Sequence, residues 1–221
     1  MEQRIMKNLH IYALIKTPEI TLDLPEGINE KVTLITLEKI TAIAEPNINI
    51  ETIKEDEEKL MQTVLNHDRV ICHIFAQITV LPLRFGIGFV SEETLKEHLK
   101  SNYETYLEKL TELTNKAEYI LKFTPKEKPE INISSELKGR AYFLAKKQQY
   151  QEQQEWENEQ DLQWQNLVKT ITEKYPAIVI EGEEKKIYLL GDKNQETLIL
   201  EEGEQWQINL TSPLPPYHFC N

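Results

Sequence analysis

The feature that most limits how this chain can fold is a helix-forming stretch of about forty residues, from about Ser134 to Tyr175, stopped by Pro176. At ~1.5 Å of rise per residue it would span about 60 Å, longer than a small domain is wide. It must therefore break, or project part of its length. Its middle, Gln148 to Gln165, holds eight Gln and five acids among eighteen residues, with no Lys or Arg. That composition suits a polar, partly exposed helix, with Asn158 as the place for a break. Trp156, Trp164, Leu167, Val168 and Ile171 then resume an apolar stripe. No heptad is sustained through the middle, which argues against a coiled-coil seam.

The rest of the 221 residues arranges itself on either side of that helix. His10–Lys16 and Lys31–Pro46 are β-rich runs ended by prolines. Thr52–His67 reads as a helix with acids near its start, where the helix dipole favours them; Ile53, Leu60, Met61, Val64 and Leu65 would form its stripe. Asp68 to Phe89 reads as a strand, because Val70, Cys72, Ile74 and Ala76 alternate with the opposite face. Pro82 cannot donate a ladder hydrogen bond, so it marks an edge, a bulge or a break. Arg84, flanked by Leu83 and Phe85, is expected to pair inward with a carboxylate, since an unpaired buried charge is costly. Gly86 and Gly88 would let backbone pack closely. Ser91 caps a long helix with a stripe of Leu95, Leu99, Tyr103, Tyr106, Leu110 and Leu113, and Ala117–Phe123 returns as a strand.

Two prolines and several charges in Thr124–Asn132 place a domain boundary there. The expected organisation is an N-terminal α+β domain over residues 1–124, a C-terminal domain over 125–211 and a tail over 212–221. Both domains are α+β, each an antiparallel sheet packed with helices. In the second, a leading strand "EINIS", the long helix, a hairpin over Ala177–Gly191, a short helix in "NQETLILEEGEQ" and a strand "WQINLTSP" give the βαββαβ order of a ferredoxin-like fold. The tail "SPLPPYHFCN" is Pro-rich and extended, and Tyr217 and Phe219 suit it for docking.

Composition removes several function classes. Lys and Arg number 25 against 37 acids, a net charge of −12. A duplex-binding surface needs clustered basic residues, and the nearest thing here, Lys146-Lys147, runs straight into Gln and acids; nucleic acid and lipid membranes are not expected partners. No apolar run approaches the ~20 residues of a membrane helix. The N-terminus lacks a secretory pattern. Cys72 and Cys220 form no metal or disulfide framework, which suits a reducing, cytoplasmic setting. There is no phosphate-binding glycine loop, no GxSxG and no HExxH. His67-Asp68 has the form of a base and its orienting partner, but a favourable imidazole near a helix end is the commoner reason for such a pair. No catalytic residue, cofactor site or metal site is assigned.

Four blocks carry a resemblance. Val80, Leu81, Pro82, Leu83, Arg84, Phe85 and Gly86 follow His67 in a VLPLRFG-type segment. "KGRAYFLAKK" supplies Gly139, Arg140, Tyr142 and Leu144 at a helix start. "KIYLLGD" is a strand-like block. The tail keeps Pro213, Pro215, Pro216, Tyr217 and Phe219, with Ser212, Leu214 and His218 departing from the usual pattern. Together these resemble the gas vesicle protein F/L family of minor accessory proteins, the shortness favouring an F-type member. The resemblance implies a non-enzymatic role: a minor vesicle component or assembly factor that engages the small hydrophobic shell subunit, and further accessory proteins, during nucleation. It implies no cofactor, and a place in the cytoplasm and at the gas vesicle. Pro82, Leu83, Arg84, Phe85, Gly86, Gly139, Arg140, Tyr142, Pro215, Pro216, Tyr217 and Phe219 become the candidate structural or partner-binding residues. The competing reading is a ferredoxin-like small-molecule-binding protein or enzyme, a plan that hosts many activities.

Overall fold

The computed structural model describes residues 8–128, 138–182, 184–194 and 205–220. Among these the chain divides into two compact units. One holds residues 8–118, 190–194 and 213–220; the other holds the described parts of 119–189 and 195–212.

The first unit is built on β1 (Leu9–Lys16), β2 (Thr33–Leu37) and β3 (Ile40–Pro46). β3 pairs antiparallel with both β2 and β1. The β2–β3 turn uses Glu38 at φ 53°, left-handed backbone that matches the twist of a tight hairpin. Two short strands, β4 (Leu81–Pro82) and β5 (Gly88–Phe89), pair with the other side of β1, giving the order β2-β3-β1-β4 with β5 also on β1. Seven of the eight β1 residues are buried. A strand covered on both faces is apolar almost throughout, and "LHIYALIK" is such a strand, with His10 and Tyr12 as the two polar exceptions among its seven buried residues.

Helices cover both faces. α1 (Ile50–Lys54) and α2 (Glu57–Gln77) are capped by Asn49 and Asp56, whose side chains accept from Thr52 N and Lys59 N. α2 overturns the strand expected from Asp68 onward: it runs unbroken through Gln77. The alternation of Val70, Cys72, Ile74 and Ala76 was a weaker signal than the i, i+4, i+7 set of Thr63, His67, Val70, Ile71 and Ile74, which is the face α2 buries. The expected stripe was likewise misplaced, since Met61 and Leu65 are exposed.

α3 (Glu92–Ser101) and α4 (Tyr103–Glu112) replace the single long helix expected after Ser91. The break falls at Asn102, whose side chain donates to His98 O. Ser91 and Thr94 form a reciprocal capping box. Leu95, Leu99, Leu110 and Leu113 pack with Leu9, Ile11, Ile40 and Ala42 into the main core.

The second sheet has the order β7-β8-β6-β9, from β6 (Lys116–Pro125), β7 (Ala177–Ile180), β8 (Lys185–Asp192) and β9 (Trp206–Leu210). β6 and β9 pair antiparallel, as do β7 and β8 in the expected hairpin. α5 (Arg140–Lys174) is continuous, with no break at Asn158. It buries Trp164 and Ile171; Trp164 meets Phe123 edge-to-face at 5.0 Å, and its Nε1 donates to Glu181. The expected "EINIS" strand and nearly all of the short helix in "NQETLILEEGEQ" lie outside the described residues.

Candidate functional site

The segment Thr79–Phe89 is an edge strand interrupted by a loop. Leu81 and Pro82 pair with Leu14 and Ala13, and Leu83 N donates to Tyr12 O at 2.9 Å. The chain then leaves the sheet at Arg84 and returns when Ile87 O accepts from Ile11 N at 3.1 Å. Pro82 is thus an edge residue, as its missing N–H requires. Gly86 turns the loop at φ 93°. Gly88 allows close approach, because a Cβ there would lie 2.8 Å from Leu9 O. Arg84 differs from expectation. Once pairing with β1 stops after Leu83, alternation no longer dictates facing: Arg84 is exposed and has no ion pair among the described residues. A cleft of about 210 Å³ beside Gly86 and Gly88 is walled by Ile48, Ile50 and Val90.

Beneath the loop lies a buried polar cluster that sequence reading missed. His67 Nε2 lies 3.0 Å from Leu83 O, and His67 Nδ1 lies 2.9 Å from His10 Nε2. A carbonyl can only accept, so His67 carries its proton on Nε2 and His10 donates to His67 Nδ1. The Phe85 ring closes over both imidazoles at 5.6 Å, and Tyr12 stacks on His67 at 5.2 Å. Burial lowers the pKa of His10 to about 3 and that of His67 below its ordinary value. Both rings are therefore neutral supports of the loop.

Tyr12 also donates to Glu45, which is fully buried. Glu45 accepts from three successive backbone N–H groups, those of Ile28, Asn29 and Glu30, at 2.6–2.7 Å. A Cβ on Gly27 would collide with this carboxylate. Arg69 fastens the same loop by donating to Glu26 O at 2.7 Å. The one hint in the sequence was a charged residue, Glu45, at the end of the apolar run "ITAIAEP".

The tail closes against the first unit. Leu214 exchanges backbone hydrogen bonds with Glu118 at 2.9 Å each way, and Tyr217–Phe219 then form a 3-10 turn, so the tail is extended only over its first residues. The carboxylate of Glu118, only 1% exposed, accepts from the backbone N and the ring Nδ1 of His218, both at 2.8 Å. Tyr217 donates to Asp68, so Asp68 serves the tail and does not orient His67. Phe219 and Cys220 pack on the main core, Pro215 and Pro216 are buried, and burial pushes the Cys220 thiol up to about 12.

The candidate residues thus separate. Pro82, Leu83, Arg84, Phe85, Gly86, Pro215, Pro216, Tyr217 and Phe219 belong to the first unit, where α2 carries both His67 beneath the loop and Asp68 beneath the tail. Gly139, Arg140 and Tyr142 belong to the second. Gly139 takes φ 58° at the start of α5, and Arg140 and Tyr142 are exposed. No group of three or more metal-ligating side chains and no helix long and apolar enough to cross a membrane occurs among the described residues.

The fold and site define an α+β protein of two antiparallel sheets packed with helices, its prominent motif spent on a buttressed edge loop and a clasped tail. The family model for gas vesicle synthesis protein GvpL/GvpF matches residues 8–221, and the chain belongs to that family. It is 23% identical to gas vesicle protein F1 of Halobacterium salinarum, across 97% of this chain and 93% of that protein. Its fold is that of two crystal structures of GvpF. The one from Anabaena sp. PCC7120 has a TM-score of 0.65 at 16% identity, covering 97% of this chain and 96% of that one. The one from Microcystis aeruginosa has a TM-score of 0.65 at 18% identity, covering 97% and 99%.

Proposed function

We propose that this chain is a minor gas vesicle component and assembly factor that binds the small hydrophobic shell subunit and limits its aggregation while the vesicle nucleates. It acts at the gas vesicle and in the surrounding cytoplasm, beside other gas vesicle proteins. A subunit with a water-repelling face aggregates unless that face is covered, and an acidic partner keeps the complex dispersed. The observation that carries the reading is the two-sided character of the loop after Pro82. Its inner side is anchored on His10, His67 and Phe85, while Arg84, Ile87 and Val90 face solvent, the last 52% exposed. A charge and apolar groups held outward on a rigid base suit a partner surface better than a core. The order β7-β8-β6-β9, with α5 between its first two strands in the chain, also favours a ferredoxin-like plan for the second domain.

Arg84→Ala tests this directly, with thermal melting run beside a pull-down on the shell subunit. The expected result is an unchanged melting temperature and binding weakened by roughly tenfold, about what removing one anchoring Arg costs. Undiminished binding by Arg84→Ala and by Val90→Asp would remove the loop from the interface. A shell subunit that stays dispersed without this chain would remove the function itself.

A further inference from the structure

We propose that two copies of this chain pair through the outward side of α5, antiparallel, about a two-fold axis at Gln151. One side of α5 packs on its own sheet through Trp164 and Ile171. The other presents Arg140, Leu144, Lys147, Gln151, Glu155, Asn158 and Leu162, all exposed. At ~100° per residue these positions share a sector about 80° wide. Their spacing is four, three, four, then four, three, four. The extra step of four at Gln151 interrupts a strict seven-residue repeat, and it also makes the pattern read alike from both ends.

Chemistry follows the same symmetry. A second copy laid antiparallel on Gln151 sets Lys147 against Glu155 on each side of the axis, and Leu144 against Asn158 and Leu162. Within one chain Lys147 and Glu155 stand ~12 Å apart along the helix and cannot meet; neither has a hydrogen bond or ion pair among the described residues. Arg140 comes beside Asp161, whose only ion pair among those residues is a loose one to Lys185 at 3.7 Å. Leu144 and Leu162 are 54% and 57% exposed, and Phe143 and Tyr150, flanking the seam, are 70% and 65% exposed. Apolar side chains gathered on one side of a surface helix mark a contact, and a self-complementary strip closes as an isologous dimer. The net charge of −12 opposes association. Charges farther apart than ~8 Å are largely screened at physiological salt, so the close pairs along the seam decide.

Sedimentation velocity of the full chain over a concentration series tests the pairing. A reversible dimer is expected. Lys147→Glu and Glu155→Lys should each raise its dissociation constant roughly tenfold, and the double exchange should bring it back to within about threefold of the original, since both charge pairs are rebuilt. In a Cys72→Ser, Cys220→Ser background, Gln151→Cys should form a disulfide-linked dimer under mild oxidation. Arg140→Cys should not, because its two copies lie ~33 Å apart across the axis. A chain that stays monomeric throughout with Gln151→Cys unlinked overturns the proposal, as does a dimer indifferent to both single reversals.

Discussion

Glu45 illustrates how much of this fold rests on single polar side chains. A carboxylate removed from water is tolerated only when hydrogen bonds replace its hydration, and here Tyr12 and the N–H groups of residues 28–30 do so. Glu45→Ala should cost about 3 kcal/mol, because it leaves the buried Tyr12 hydroxyl unmet and takes the shared acceptor from the N–H groups of residues 28–30. Gly27→Ala should destabilise comparably by forcing a methyl group into the carboxylate; chemical denaturation of each variant checks both. The buried histidines add a pH signature. Folding keeps His10 neutral down to about 3, whereas the unfolded chain takes up that proton below about 6.5. Stability therefore falls as pH drops through that window, by about 2 kcal/mol between pH 7 and pH 5 for this residue. His10→Gln should flatten the curve by that amount relative to the parent. Beyond the charge of Glu45 at the end of an apolar run, this was not legible in the sequence, because a nest of backbone donors leaves no residue pattern. Arg84 was misread for a related reason: its apolar neighbours suggested burial, but alternation loses its meaning once Pro82 ends the strand.

At the scale of elements, periodicity was informative where one face meets a core and misleading where two periods fit the same residues. Ser91 and the leucines after it announced α3 and α4, and the β-branched runs announced β1 to β3. Asp68–Gln77 fits both a period of two and a helix, and length alone could have arbitrated, since α2 runs for 21 residues. The break at Asn102 was invisible because the stripe continues in phase across it. In the second unit the apolar end of α5 was readable from its tryptophans. Trp164→Ala should cost roughly 3–5 kcal/mol by removing a buried indole packed on Phe123 and Trp206. The loss of Trp164 contacts should appear in near-ultraviolet circular dichroism, and urea denaturation supplies the energy.

For the whole molecule, the sequence announced two sheets but not that the first unit draws on three separated parts of the chain. No local pattern encodes a contact such as Glu118 with His218, a hundred residues apart. Removing residues 213–221 should leave Glu118 buried without the N–H and imidazole of His218 and uncover the core beneath Phe219. The melting temperature should fall by several degrees, on the order of 5 °C or more for a loss of a few kcal/mol. Tyr217→Phe, which removes the hydroxyl that Asp68 and the Cys72 thiol hold, should cost about 1 kcal/mol.

The clasp between Glu118 and the tail has a consequence for biosynthesis. A nascent polypeptide that has emerged through β3 and α4 still lacks the piece that satisfies Glu118, so its first unit cannot reach its final state until residues 213–220 have been made. Maturation of that unit is thereby tied to synthesis of its own tail, and ribosome stalling between residue 118 and residue 213 would release a product whose edge loop is present but whose fold is left unsealed.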